Sequence, residues 1–295
     1  MISKDMHKRK KSFFEGWYFK HQYNNFSISL IPGINISKAG EKYAFIQVIT
    51  NNDSYNIKYK FEDFSISKDR LTIKIKDNIF SKSGIILNIK DSNIKIKAQL
   101  KYNNITPIKS DIMGPFALIK FMECNHEVIS LHHEVNGILN INNKEIKINN
   151  GIGYIEKDYG TSFPKTYLWI HCNDFKNEKV SIMVSIADIP FLGFEFKGCI
   201  ASILYKEKEY RMATYNGVRV INYNKNGLTI KRGRYKLHID IEDNNAKKLL
   251  APNQGEMERV IYEAISCNGR FRFYRKDELI FDLKSNNISF EYVNW

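Results

Sequence analysis

Ile94-Lys95-Ile96-Lys97-Ala98-Gln99-Leu100 alternates apolar and polar side chains at every step. Successive side chains point to opposite faces of an extended chain, so the stretch reads as a strand with one face in a core and one in water. The same period recurs in Phe61-Glu62-Asp63-Phe64-Ser65-Ile66-Ser67, in Leu71-Thr72-Ile73-Lys74-Ile75, in Ile138-Leu139-Asn140-Ile141 and in Lys236-Leu237-His238-Ile239-Asp240-Ile241. Between such runs stand Asn51-Asn52-Asp53, Asn103-Asn104, Asn142-Asn143, Asn149-Asn150-Gly151 and Asn224-Lys225-Asn226-Gly227, residues that tolerate the left-handed backbone of tight hairpin turns. Helical periodicity is confined to a turn or two at residues 110–121 and 244–250. The chain is therefore expected to be all-β, antiparallel, and closed as a sandwich or barrel to hide its strand edges.

At 295 residues, 43% of them hydrophobic, the chain can bury more than one core. No apolar run approaches the roughly 20 residues of a membrane-spanning helix. Residues 1–12 are polar and lysine-rich with no apolar stretch behind them, which predicts a flexible basic tail on a cytoplasmic protein rather than a secretory leader. Cys124, Cys172, Cys199 and Cys267 are widely spaced, as buried thiols are, and lack the pairing of a zinc site. The net charge of +13 invites a nucleic-acid partner, but the lysines are dispersed on alternating strand positions, so none is expected. Only Lys8 to Lys11 forms a cluster, for which a solvated terminus is the preferred reading and weak contact with an anionic membrane surface the alternative. Nothing resembles a GxSxG elbow, a Walker A loop or a GxGxxG turn, so no nucleotide cofactor is implied.

A faint internal echo, with coincidence in an Ile/Ser-rich β chain as its alternative, runs through the sequence. Trp17 leads into Phe26-Ser27-Ile28-Ser29-Leu30-Ile31-Pro32, and Trp169 leads into Val180-Ser181-Ile182-Met183-Val184-Ser185-Ile186 and on to Pro190. Two related β-domains are expected, at residues 13–164 and 165–295, with the boundary beside Gly153-Tyr154-Ile155-Glu156-Lys157-Asp158-Tyr159-Gly160-Thr161-Ser162-Phe163-Pro164. That segment is a poor strand by composition and reads as a loop or domain junction, where ligand sites tend to form.

Three groups of residues carry chemistry. Glu156 and Asp158, two apart, share a face if the chain is extended, and paired carboxylates can divide acid and base work. A salt-bridged structural corner is the alternative. Glu15, inside Phe13-Phe14-Glu15-Gly16-Trp17-Tyr18-Phe19, would be desolvated and could hold a proton; pairing with a lysine is its structural alternative. In Glu123-Cys124-Asn125-His126-Glu127 and Ser130-Leu131-His132-His133-Glu134, strict alternation puts His126, Ser130, His132 and Glu134 on one face and Glu123, Glu127 and His133 on the other. Imidazoles suggest metal ligation, but strand spacing sets at most two on one face; a polar binding cavity is the preferred reading, ordinary surface or satisfied histidines the alternative, and no metal is assigned.

These motifs resemble the tocopherol cyclase-like proteins. The resemblance rests on Phe14-Glu15-Gly16-Trp17-Tyr18-Phe19-Lys20, Phe45-Ile46-Gln47-Val48, Met113-Gly114-Pro115-Phe116, Met122-Glu123-Cys124, Gly153 through Gly160, Ser162-Phe163-Pro164, Trp169, Asn173, Phe175, Tyr215-Asn216-Gly217 and Leu250-Ala251-Pro252. It implies a two-domain, lipocalin-like β architecture related to carotenoid hydratases, and a cofactor-free reaction in which a phenol oxygen adds to a protonated prenyl alkene. Tyr159 stands where the family usually has Trp and His171 where Gln is expected; the insertions of the plant enzymes are missing. Under this resemblance Asp158 is the expected acid, with Glu15 and Glu123 as alternatives, and His171 or His132 the base. Trp17, Tyr18, Tyr159, Phe163 and Trp169 would offer ring faces to a carbocation, with His126 and Glu156 lining the site of a prenylated aromatic or isoprenoid substrate. A non-catalytic lipid carrier and a shape-directed pericyclase remain the competing readings.

Overall fold

A computed structural model describes residues 12–68, 71–119, 122–176, 178–191, 194–243 and 245–294; the Lys8 to Lys11 cluster lies outside them. The first sheet begins with β1 (Phe13–Tyr23), β2 (Phe26–Ile36), β3 (Lys42–Thr50), β4 (Ser54–Lys60) and β5 (Phe64–Ile66). It continues with β6 (Thr72–Ile75), β7 (Asn78–Ser81), β8 (Gly84–Lys90), β9 (Lys95–Thr106), β10 (Cys124–Ile141) and β11 (Lys144–Gly160). The second sheet holds β12 (Tyr167–Cys172), β13 (Val180–Phe191), β14 (Phe194–Tyr205), β15 (Lys208–Ala213) and β16 (Arg219–Asn224). Completing it are β17 (Gly227–Arg232), β18 (Tyr235–Ile241), β19 (Lys247–Asn253), β20 (Glu256–Arg275) and β21 (Glu278–Val293).

The order of the first sheet is β4-β3-β2-β1-β11-β10-β9-β8-β7-β6-β5. Its two end strands, β4 and β5, are joined by a single 3-10 turn at Phe61–Asp63. So short a link keeps the two end strands near one another, and the curled sheet is nearly barrel-shaped. The second sheet follows the same winding: its first strand pairs with its last, β12 with β21, and its end strands β15 and β16 are linked across 214–218. Each barrel has its own core. Trp17, Phe19, Leu30, Ile46, Ile73, Phe80 and Ile155 belong to the first, and Leu168, Ile170, Val184, Phe271, Phe273 and Phe290 to the second. The chain divides into two compact units, one of residues 1–107, 123–163 and 249–260, the other of 108–122, 164–248 and 261–295.

The Asn-rich segments are turns. Asn142 and Asn143, between β10 and β11, both have positive φ (48° and 68°), the two-residue geometry whose twist suits a hairpin. Three expectations are corrected. Gly153 through Gly160 is strand, not loop, because β11 is central and has hydrogen-bonding neighbours on both sides. Residues 247–253 form β19 rather than a helical turn and pair with β20; in 110–121 a short 3-10 segment, Gly114–Leu118, does occur. Alternation is not strict along β10. Register shifts between Val128 and Ser130 and between Ser130 and His133 turn Ser130 and His133 to the Ile155 side, the face opposite His126. A bulge inserts a residue on one strand and flips everything beyond it, so His133 rather than His132 points into the core.

Candidate functional site

β11 presents Tyr154, Glu156 and Asp158 on one face and Ile155, Lys157 and Tyr159 on the other. Ile155 sits in the first core with Trp17 and Phe19, so the second face looks into the barrel. On the first face, register sets Tyr18 of β1 opposite Glu156 and His126 of β10 opposite Asp158. The His126 Nδ1 lies 2.7 Å from an Asp158 carboxylate oxygen, and its Nε2 lies 3.3 Å from Glu156 Oε2. The Tyr154 hydroxyl donates to the same Glu156 oxygen at 2.5 Å. Ser29 donates to the Tyr18 hydroxyl at 2.7 Å, and the Tyr18 and Tyr154 rings meet edge-on. Glu156, His126 and Tyr154 are buried, whereas the Asp158 side chain is 20% exposed.

This arrangement fixes the direction in which each group holds its proton. Burial alone would lower the His126 pKa, but the charges of Asp158 and Glu156 outweigh it and lift the imidazole well above its ordinary value. Burial raises the Glu156 carboxyl; His126 opposes that rise and Asp158 adds to it, leaving the net shift upward. Burial and the adjoining Glu156 hold the Tyr154 phenol well above its usual range. The result is an imidazole whose pKa is lifted between two carboxyl groups, the more buried of which is itself shifted upward.

The three side chains offer ligand atoms within 4.8 Å of one another, as a metal site would. Asp158 engages Nδ1 through one oxygen, which leaves Nε2, Glu156 and the second Asp158 oxygen as donors, one short of the four ligands of a structural zinc. The geometry suits proton handling better than ligation.

The structure separates the other expected site residues. Glu15 pairs with Lys157 at 2.9 Å on the face of the sheet opposite Glu156. The Lys157 ammonium lies over the rings of Trp17 at 5.6 Å and Tyr159 at 4.7 Å, so these two rings already face a cation and lie on the opposite side of the sheet from Glu156. Glu123 is exposed, and its backbone carbonyl accepts from the amides of Thr161 and Ser162. Phe163 packs edge-on against Phe14 at 5.4 Å. Trp169 and His171 belong to the second unit; they stack at 6.3 Å on the face of β12 opposite Leu168 and Ile170, beside Tyr167, which donates to Glu291 at 2.6 Å. His132 pairs with Thr106 of β9 in register and does not join His126.

Sequence reasoning missed Tyr154 and the fully buried Lys20, which register sets opposite it. The signal for Tyr154 was its spacing of two from Glu156. It also missed a cluster inside the barrel: His21 Nε2 lies 2.5 Å from the Tyr102 hydroxyl, the Tyr102 ring is 4.4 Å from that of His133, and His133 Nδ1 lies 3.0 Å from Ser130 Oγ.

Two large antiparallel sheets, one of them nearly barrel-shaped, define a lipocalin-like β-protein. The chain belongs to the tocopherol cyclase-like family, whose sequence model matches residues 84–292. No curated protein matches its sequence. Among solved structures, a putative AttH from Nitrosomonas europaea aligns with a TM-score of 0.56 and 12% identity, over 95% of this chain and 93% of that one. Kievitone hydratase from Nectria haematococca aligns with a TM-score of 0.55 and 12% identity, over 100% of this chain and 93% of that one. At this identity the likeness is one of fold. Among the described residues no helix is long and apolar enough to cross a membrane.

Proposed function

We propose that this chain is a cyclase- or hydratase-type enzyme that protonates an alkene of a prenylated hydrophobic substrate without a cofactor. The observation that carries the reading is His126 held at both ring nitrogens by Asp158 and Glu156 on a buried sheet face. Family membership and the hydratase fold neighbour support the reaction class.

In this mechanism the neutral Glu156 carboxyl gives its proton to the less substituted alkene carbon, leaving a tertiary carbocation and a carboxylate. A phenol oxygen of the same molecule, or a water, then bonds to the cation. Its proton returns to the Glu156 carboxylate, so the cycle uses no net acid. Asp158, the more exposed carboxylate, keeps His126 protonated, and the imidazolium can pass a proton to Glu156. In this reading the Tyr18 and Tyr154 rings would stabilise the cation, each by roughly 0.5–2 kcal/mol. Positioned acid–base groups of this kind contribute about 10²–10⁴ in rate.

The test is incubation with prenylated phenols and linear isoprenoids, followed by mass spectrometry. A product of unchanged mass but new retention marks cyclisation, and one heavier by a water marks hydration. Substrate bound and recovered unchanged marks a carrier instead.

A further inference from the structure

The alternation that disperses lysines along the sequence gathers them on one surface of the first barrel. On β9, Lys95, Lys97 and Lys101 share the outward face with Gln99, and all are exposed. Across the ladder, Lys95 stands directly opposite Lys90 of β8, and Gln99 lies between Ile86 of β8 and Ile138 of β10. Like charges set opposite one another cost stability. Among the described residues none of Lys90, Lys95, Lys97 and Lys101 has a carboxylate partner, whereas Lys157, Lys197, Arg211, Arg270 and Arg272 all do. Acids around this face have other partners: Asp91, in the turn between Lys90 and Lys95, accepts from Asn93, Glu145 lies 3.8 Å from Lys147, and Glu134 accepts from Asn104. Amid the cations Ile86 and Ile138 are 48% and 47% exposed, among the few large apolar side chains left to solvent.

We propose that the outer face of β8, β9 and β10 docks on an anionic lipid bilayer. Headgroup phosphates would answer the four unpaired ammonium groups, lysine stems would lie along the interface, and the two isoleucines would enter the headgroup layer. Nucleic-acid surfaces rely on arginine forks and stacking aromatics, and the outward positions of these three strands carry neither. The inference rests on this surface alone and stands apart from the proton chemistry, though an enzyme of prenylated lipids gains from sitting where they dissolve.

The test is flotation of the full chain with vesicles of phosphatidylcholine, alone or mixed with phosphatidylglycerol. Binding is expected only to the anionic vesicles and to weaken with salt. K95E/K97E/K101E should bind about 100-fold more weakly, roughly fivefold per lysine. The charge-matched control K225E/K231E/K276E, on the second unit, should bind like the wild type, with circular dichroism confirming that both fold. I86S/I138S should lower the residual binding at high salt. Equal loss in both triple variants would reduce the effect to net charge and overturn the proposal. Undiminished binding by K95E/K97E/K101E would assign it elsewhere, for instance to Lys8 to Lys11, and binding of single-stranded RNA but not vesicles would reassign the face.

Discussion

Gly153 and His133 face one another across β11 and β10, and a Cβ placed on Gly153 would lie 2.1 Å from His133 Nε2. The glycine leaves the room that the imidazole fills. Gly153→Ala should therefore destabilise the fold by about 1–3 kcal/mol through overpacking. His133→Ala should remove much of that penalty, a coupling that a double-mutant cycle of urea midpoints would measure. Additive effects would mean that the ring does not occupy this space.

The buried histidines also set a pH dependence. Burial lowers His21 from 6.5 to about 3, and burial with the neighbouring charges of His21 and His132 lowers His133 well below 6.5. The unfolded chain takes up these protons near 6.5 while the folded chain refuses them, so the unfolded state binds more protons in acid. Their contribution to stability is thus complete above 6.5 and lost as pH falls from there toward 3. Urea midpoints should drop across that window, and the His21 Cε1–H resonance should stay unshifted from about pH 8 to about pH 5. A midpoint insensitive to acid would contradict the burial of both rings.

Lys157 compensates a buried acid at the opposite face from Glu156. Replacing it with Met leaves Glu15 without its partner, at a cost of about 3–5 kcal/mol. E15Q/K157M should recover part of that loss, as judged by thermal denaturation. If K157M alone were neutral, the pair would have no structural role.

Asp158 is expected to act through His126. With Asn in its place, the imidazole loses the partner at 2.7 Å, and its pKa should fall toward 6.5 in an NMR titration. Because the raised pKa favours the folded state at low pH, the stabilisation this pair supplies is complete below 6.5 and fades as pH rises through the folded value. Asp158→Asn should shrink that alkaline loss. An unaltered His126 titration would remove Asp158 from the clamp.

Much of the fold was legible because period-two alternation and Asn-rich turns are local signals, as in Ile94 through Leu100 and at Asn142-Asn143. The pairing of Glu156 with Asp158 was legible for the same reason: two residues apart on an extended chain share a face. What stayed hidden depends on register between distant strands. The approach of Lys157 to Glu15 and to Trp17 is set by β1 pairing with β11. The exchange of His132 for His133 is set by bulges that no alternation rule reveals. Gly153 through Gly160 looked like a loop because its polar residues were read without the neighbouring strands that give them partners.

The most direct test of the account is turnover in deuterium oxide by the wild type and by Glu156→Gln. The proton-transfer mechanism predicts a product of the wild type with one deuterium on the former alkene carbon. It also predicts a loss of about 10²–10⁴ in the variant's rate with substrate binding retained. A Glu156→Gln variant that keeps the wild-type rate, or a product without carbon-bound deuterium, would contradict it.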